Sequence, residues 1–465
     1  MGRRFFPLYR EDNKTAIIFA LNCLIAPLMI PALLLHFFTI QLRRDFFMPR
    51  RTKHPRLMAI FCLLCFALLT PRQTLASSVS FRLNNQGLTL LSDNQFHLGR
   101  FTVILSPWLY TEQQATSYGL SEAALDLGIG RFHLTIGRQL TTFGPGRYSF
   151  PLLSPLGEGL TREGLDQIGY SFTTKRLTYR KFYAWVPAGG FRLLLGQRAT
   201  YNLGPFTFGF AETALTNENV PEFYYLPLPL VPVGFYHFYA DHFLELPATS
   251  QNINLLGELD LTIRLWPGAK IYAGYLIDSR PFPSLKKGYS YYVHFPEDDE
   301  HPWKVGYQGG VEWERPLGIP GIKLYTEYTR INQFAYTASD PFFNYTYKGL
   351  CLGGPLGPDA DQLNLELVTT AEKTWQFGLA YTRRRQGEGR IGDQWAYQPG
   401  QKEVFLTGIV ETTDQIAFTA IKNIELLNED QVALTVSLTR ITNDNHQPGV
   451  VTIQPEISVT GKVSW

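Results

Sequence analysis

The hydrophobic and polar positions after Ala76 alternate with a period of two. Between residues 255 and 266, apolar residues or glycine occupy every second position, and the positions between them include Glu258, Asp260 and Arg264. Successive side chains of a β-strand point to opposite faces of a sheet, so this pattern predicts strands with one apolar and one polar face. The alternation recurs at residues 307–314, 375–382, 432–439 and 457–465. We therefore expect an all-β protein.

The length of these strands favours a membrane barrel over a soluble sandwich. Many predicted strands reach the roughly 9–11 residues that cross a bilayer at a tilt, longer than is usual in soluble domains. Aromatic residues stand near strand ends, as at Trp185, Trp266 and Trp375. Charges lie mainly on one face, as they must if the other face meets lipid, where an Arg or Lys costs about 2–4 kcal/mol at the midplane. The pattern predicts a transmembrane antiparallel β-barrel.

The connections alternate in length, as in bacterial outer-membrane barrels. Short ones include Gly204-Pro205 and Thr413-Asp414, and the long ones cover residues 140–164, 215–249, 280–302, 337–361 and 385–401. Seventeen strands are recognisable, the first starting near residue 100 and another near residue 402. Because bacterial barrels have even strand numbers, we expect about eighteen, with the missing strand near Asn344–Lys348. A strand at residues 80–91 would place the long loops on the periplasmic side. Loops or short helices are expected to occlude the lumen in part.

The first 76 residues predict export. Residues 48–76 contain a basic segment from Arg50 to Arg56, an apolar run from Leu57 to Leu69 and small residues up to Ala76, which together form a secretory signal peptide. Upstream, residues 1–47 include a 25-residue uncharged stretch, Ala16–Ile40. They are either a misassigned upstream extension or an N-terminal membrane anchor. Residues 77–465 are expected to form the barrel, integral to the outer membrane.

The composition argues against several classes of partner and site. The 42 Lys and Arg nearly balance the 40 Asp and Glu, so a nucleic-acid partner is not expected. Of four cysteines only Cys351 follows the signal peptide, which leaves no internal disulfide framework. Asp359 and Asp361 supply too few carboxylates for a calcium site. With no catalytic motif evident, we expect no enzymatic activity, metal or cofactor.

Residues 136–146 read Ile-Gly-Arg-Gln-Leu-Thr-Thr-Phe-Gly-Pro-Gly. With Tyr328-Thr329, the segment 356–361 and the closing Trp465, they resemble the capsule assembly (Wzi-type) outer-membrane family, although Phe143 stands where the family usually has Trp. The motif residues are Gly137, Arg138, Phe143, Gly144, Pro145 and Gly146.

The resemblance implies a closed, loop-occluded, non-enzymatic barrel of about eighteen strands that helps assemble or anchor capsular polysaccharide or exopolysaccharide at the cell surface by binding it. Outer-membrane lipids are further expected partners. So is the outer-membrane assembly machinery, which would engage the C-terminal strand ending in Trp465. The alternative is a general or sugar-selective porin.

Three segments are candidate functional sites. The Pro-rich loop 220–247 carries Tyr224, Tyr225, Tyr236 and Tyr239, whose rings suit stacking on sugars, or it forms an apolar plug inside the barrel. Arg383, Arg384 and Arg385 end a strand; they bind acidic polysaccharide or lipopolysaccharide phosphates, or they are a solvated strand end. Gly144-Pro145-Gly146 either directs its loop into the lumen or mouth, or is a plain connection.

Overall fold

The computed structural model describes residues 74–112, 115–220, 225–234, 253–279, 302–369, 374–394, 403–424 and 430–464. The predicted segment 1–47 and the signal peptide up to residue 73 lie outside the described residues, as does Trp465.

Eighteen antiparallel strands form one sheet. The strands are β1 (Thr74–Asn84), β2 (Gly87–Leu98), β3 (Phe101–Glu112), β4 (Ala115–Ile129), β5 (Phe132–Gln139), β6 (Leu165–Thr173), β7 (Leu177–Trp185), β8 (Leu193–Leu203), β9 (Phe206–Thr216), β10 (Ile253–Trp266), β11 (Ala269–Ser279), β12 (Lys304–Glu314), β13 (Ile322–Ile331), β16 (Ala360–Thr369), β17 (Trp375–Gln386), β18 (Glu411–Ile424), β19 (Asp430–Thr442) and β20 (Val451–Ser464). Two further strands of two residues, β14 (Thr346–Tyr347) and β15 (Leu350–Cys351), pair only with each other. The sheet closes on itself because β1 pairs with both β2 and β20. The predicted barrel of eighteen strands is confirmed.

The predicted position of the missing strand was wrong. Residues 344–351 contain only the β14–β15 hairpin, the described residues 403–410 contain no strand, and Thr413-Asp414 lies inside β18. The N-terminal residues 74–98 supply two strands instead of none, β1 and β2, and this restores the even number. They meet at a two-residue turn in which the Asn84 side chain accepts hydrogen bonds from the backbone amides of Gln86 and Gly87.

The barrel wall has the two predicted faces. Outward-facing apolar side chains are about half exposed, for example Leu259, Leu367 and Leu434. Some inward-facing polar side chains, among them those of Glu258 and Asp260, are almost fully buried. Asp260 forms an ion pair of 2.7 Å with Arg198 across the inner face.

The two ends of the barrel differ. At the end where β1 begins and β20 ends, here called the turn end, connections are short, as at residues 130–131 and 204–205, where Gly130 and Gly204 adopt positive φ. At the opposite end, the loop end, the connections include residues 140–164, 217–252, 280–303, 332–359 and 387–410. In the described part of the chain, no helix is long and apolar enough to cross a membrane.

Candidate functional site: the plugged lumen

Two long connections from the loop end, residues 140–164 and 332–359, pack together inside the barrel; they are here called the plug. Their amides and carbonyls meet directly, since Ser154 N donates to the Leu352 carbonyl at 2.9 Å. Tyr336 and Tyr345 stack with ring centroids 5.9 Å apart. The buried plug residues include Phe143, Leu152, Leu153, Leu156, Phe334, Tyr336, Phe343, Tyr345 and Leu352. The expected occlusion of the lumen by loops is confirmed.

The apolar core of the plug continues into the inner wall. The ring of Phe143 lies 5.8 Å from the ring of Phe182 on β7, and the same cluster includes Leu194, Leu256 and Leu276. Burying these side chains against each other excludes water from this part of the lumen. One side of the inner wall is therefore apolar because the plug covers it.

The Gly-Pro-Gly turn points into the lumen, as one of the two interpretations of the motif expected. Gly144 has φ +123°, and a Cβ at this position would lie 2.9 Å from Oε1 of Glu258 on β10. A side chain at Gly146 would overlap the Gln308 amide on β12. Glycine is thus needed at both positions because the turn lies directly on the inner wall.

The carboxylate of Glu327 holds the backbone of the chain that follows this turn. Glu327 of β13 accepts hydrogen bonds from the backbone amides of Arg147, Tyr148 and Ser149 at 2.7, 3.3 and 2.9 Å. Its oxygens also accept from the Tyr272 hydroxyl at 2.7 Å and from the Gln308 amide at 3.3 Å. Glu327 is fully buried. Sequence reasoning missed this residue, because nothing in its own strand distinguishes it from other inward-facing carboxylates.

The first two residues of the motif belong to the wall instead of the plug. A Cβ on Gly137, at φ +122°, would overlap the Ala123 carbonyl of the neighbouring strand. Arg138 faces outward and forms two hydrogen bonds of 2.8 Å with Asp166 on β6. The motif therefore marks the point where the chain leaves the sheet and enters the lumen.

Arg192 fixes the second plug loop, and sequence reasoning also missed it. This fully buried guanidinium donates to the carbonyls of Val186, Phe342 and Thr346 at 2.9, 2.7 and 2.5 Å. Burial lowers the pKa of Arg192. A lone arginine before the apolar pair Leu193-Leu194 was the available signal, since an arginine in such a place needs partners.

Asp359 and Asp361 serve the structure of the loop end. The Asp359 carboxylate accepts from Gly389 N at 2.9 Å and from the Thr407 hydroxyl at 2.6 Å, which fastens connection 387–410 to the plug. Asp361 accepts two hydrogen bonds from Arg385 at 3.0 and 2.5 Å. Among the residues that the structure describes, no group of His, Cys, Asp and Glu is placed to hold a metal ion.

The three predicted arginines do not form one patch, because consecutive strand residues face opposite sides. Arg384 points inward and donates to the carbonyls of Pro355 and Leu356 at 3.2 Å. Arg385 faces outward in its pair with Asp361. Arg383 also faces outward, is half exposed and lies 3.9 Å from Asp414. Binding of polysaccharide by Arg383, Arg384 and Arg385 stays a prediction, and Arg383 is the most accessible of the three.

Of the four predicted tyrosines, Tyr224, Tyr236 and Tyr239 lie outside the described residues. The Tyr225 hydroxyl donates to the Asn217 carbonyl at 2.9 Å. Residues 225–234 contact the outward face of the barrel, so the interpretation of this loop as a plug inside the lumen was wrong for these residues. Sugar binding by the four tyrosines stays a prediction.

A polar cavity of about 490 Å³ remains between the plug and the wall formed by β1–β4 and β20. Its lining includes Asp93, Asn94, Glu122, Arg162 and Lys462. The Glu122 carboxylate accepts from the Leu140 amide at 3.0 Å, which ties the start of the first plug loop to this wall. Amides, carboxylates and cations in one cavity suit water or a polyhydroxyl ligand. The sequence did not reveal the cavity, because β1 and β2 form much of its wall.

The chain was compared with known protein families and with curated proteins. The family model of the capsule assembly protein Wzi matches residues 279–452, which confirms the predicted resemblance from the end of β11 to the start of β20. The motif at residues 136–146 lies outside that range. No curated protein matches the chain.

Three solved structures that resemble this chain are distant from it in sequence. The Wzi outer-membrane protein of Escherichia coli, described as a carbohydrate-binding β-barrel involved in group 1 capsule assembly, has a TM-score of 0.57 and 11% identity, covering 90% of this chain and 89% of that one. OccD3 (OpdP) of Pseudomonas aeruginosa has a TM-score of 0.47 and 10% identity over 84% and 90% of the two chains. OpdQ of the same species gives 0.48 and 8% over 85% and 99%. These likenesses concern the fold.

Proposed function

We propose that this barrel, whose later part matches the capsule assembly protein Wzi family, helps to assemble or anchor capsular polysaccharide or exopolysaccharide at the cell surface by binding it. The role is binding, without catalysis. The barrel is integral to the outer membrane, with its turn end in the periplasm and its loop end outside, the orientation usual for bacterial barrels with short periplasmic turns.

The plugged lumen is the observation that carries this proposal. Apolar packing around Phe143, the carboxylate of Glu327 and the guanidinium of Arg192 all fix loops inside the barrel. The two plug loops, held in place by these contacts, present a fixed surface. Such a surface suits a long polymer, because preorganised loops lose little entropy on binding.

Export through a signal peptide fits the barrel's register. Cleavage after Ala76 would leave all pairs between β1 and β20 intact, since this pairing runs from Ser78–Asn84 on β1. Mass spectrometry of the purified protein tests both N-terminal expectations: a mature chain starting at Ser77 supports them, and peptides from residues 1–47 would contradict the misassigned start.

The deciding experiment is deletion of the gene in its host. Polysaccharide synthesis should continue while polymer is released into the medium, and complementation with the intact chain should restore retention. Direct binding is then measured with purified barrel and the host's own polysaccharide, with a heat-unfolded sample as control. Normal surface retention in the deletion strain would refute the proposal.

The porin alternative makes the opposite electrical prediction. A plugged barrel should give no steady current in a planar bilayer, whereas a barrel with an open, water-filled lumen conducts ions steadily. Steady conductance by the intact protein would favour the porin.

A further inference from the structure

Residues 225–234, here called the strap, lie against the outer wall of β7, β8 and β9. The strap touches Lys181, Gln197 and Glu212. These three residues share one face, because Lys181 pairs with Gln197 and Gln197 pairs with Glu212 across the sheet. The next residue, Arg198, faces the lumen and pairs there with Asp260. The strap is therefore outside the barrel.

The strap lies at the depth of the membrane. Lys181 is four residues from the turn-end terminus of β7, and Gln197 and Glu212 are six residues from those of β8 and β9. With about 3.3 Å per residue and a tilt of about 40°, this is roughly 10–15 Å from the turn end, within an apolar band about 25 Å tall. Yet Lys181, Gln197 and Glu212 are 0%, 2% and 0% exposed, because the strap covers them.

The wall's polar groups satisfy the strap's backbone. Lys181 Nζ donates to the carbonyls of Leu226 and Leu228 at 3.4 and 3.2 Å, and Gln197 Nε2 donates to the Val231 carbonyl at 2.9 Å. Glu212 accepts from Val233 N, and from Gly234 N at 3.4 Å.

Two tyrosines of the wall add to these contacts. The Tyr183 hydroxyl donates to the Leu226 carbonyl at 3.0 Å, and the Tyr170 hydroxyl donates to the Pro227 carbonyl at 2.8 Å. Irregular backbone is excluded from hydrocarbon unless its polar groups are paired, and these contacts provide such pairing.

The strap's own sequence removes further polar groups. Pro227, Pro229 and Pro232 have no amide hydrogen to satisfy. The leucines between them point away from the wall: Leu226, Leu228 and Leu230 are 45%, 45% and 51% exposed. They continue the apolar outer face that Phe208, at 46%, and Leu259, at 53%, form on neighbouring strands.

We propose that the strap lies within the lipid bilayer, with Leu226, Leu228 and Leu230 in contact with acyl chains and the polar row Lys181–Gln197–Glu212 sealed behind it. The partner is therefore the lipid itself. The pairing of the strap's backbone with the wall and the continuity of the leucines with the lipid-facing surface favour lipid over a second copy of the chain.

The test places single cysteines in the full chain in which Cys23, Cys62, Cys65 and Cys351 are replaced by alanine: Leu228→Cys on the strap, Phe208→Cys as a lipid-facing control and Gln447→Cys in the exposed loop between β19 and β20. Each is labelled with an environment-sensitive fluorophore and reconstituted in phosphatidylcholine vesicles, after gel mobility before and after heating has confirmed a folded barrel. The chain with the four alanine replacements alone, labelled in parallel, gives the background.

Nitroxide-bearing lipids should quench the Leu228 label as strongly as the Phe208 label, and iodide should quench only the Gln447 label. Iodide quenching of the Leu228 label to the level at Gln447 would overturn the proposal. So would disulfide cross-links between Leu228→Cys chains that persist as protein is diluted in lipid, because they would make a second copy the occupant.

Discussion

Substitution of Glu327 tests whether its hydrogen bonds keep the plug inside the lumen. In the Glu327→Gln variant one carboxylate oxygen becomes an amide nitrogen, which cannot accept a hydrogen bond. Oε2 accepts from Arg147 N, Tyr148 N and the Tyr272 hydroxyl, and Oε1 accepts from Ser149 N and the Gln308 amide. Whichever oxygen is replaced, at least two donors lose their acceptor.

The expected magnitude follows from these losses. A buried donor left without an acceptor costs about 1–3 kcal/mol, so two of them weaken the attachment by about 3 kcal/mol. Each 1.4 kcal/mol changes an equilibrium constant about tenfold, which makes the detached plug about a hundredfold more populated. The strands themselves keep all their backbone pairing, so the barrel should still fold.

Single-channel recording in a planar bilayer measures the change, because only a detached plug lets ions pass. Glu327→Gln should show brief openings much more often than the unsubstituted protein. Glu366→Gln is the matched control: this carboxylate also faces the lumen, but among the described residues its hydrogen bonds come from the side chains of Tyr148 and Arg147 and not from the plug's backbone. Equal opening rates in both variants would refute the role assigned to Glu327.

Three further measurements probe the plug. Gly144→Ala should destabilise the turn by about 1–3 kcal/mol, since alanine is strained at φ +123° and its Cβ meets a carboxylate. Gly189→Ala, at φ +77° with open space around it, should cost less; if the two folded variants resist protease equally, the packing around Gly144 is contradicted. Burial raises the pKa of the Cys351 thiol to about 12, so the thiolate that reacts with maleimide is scarce at pH 8. Maleimide should therefore label Cys351 slowly in the native protein and at once in the denatured protein. Fast labelling of the native protein would show an open plug. Tyr345→Phe removes the donor to the Leu152 carbonyl and should lower the free energy of unfolding by about 1–2 kcal/mol in urea titration; an unchanged midpoint would argue against this contact.

The wall of the barrel was largely predictable from local sequence. Strands such as β10 and β19 have one face in lipid and one in the polar lumen, so apolar and polar residues alternate along each of them. β2 does not, because Asp93, Asn94 and Gln95 line a polar cavity and the alternation disappears there. The same rule of period two, applied to the sequence alone, separates Arg384 from the residues on either side of it.

The sequence predicted that loops occlude the lumen, but not which contacts hold them there. Gly144-Pro145-Gly146 indicated a tight turn, but its destination depends on residues far away in the chain. Arg147 N and Glu327 are separated by 180 residues, and Arg192 and Phe342 by 150. The strap was misplaced for a related reason: a Leu-Pro repeat suits any apolar surroundings, and its position outside the wall depends on its contacts with residues of other strands, among them Lys181, Gln197 and Glu212.

The closure of β1 onto β20 also determines how the barrel would carry a mechanical load. A polymer held at the loop end would pull along the strands, and the pairs from Ser78–Asn84 to β20 would then be loaded in shear, all at once. An open sheet would peel from an edge strand one pair at a time, but a closed ring has no such edge. The force would spread around eighteen strands, and tearing would have to break a whole ladder together. A closed barrel of this kind can anchor a polymer under steady tension without losing its strand pairs one after another.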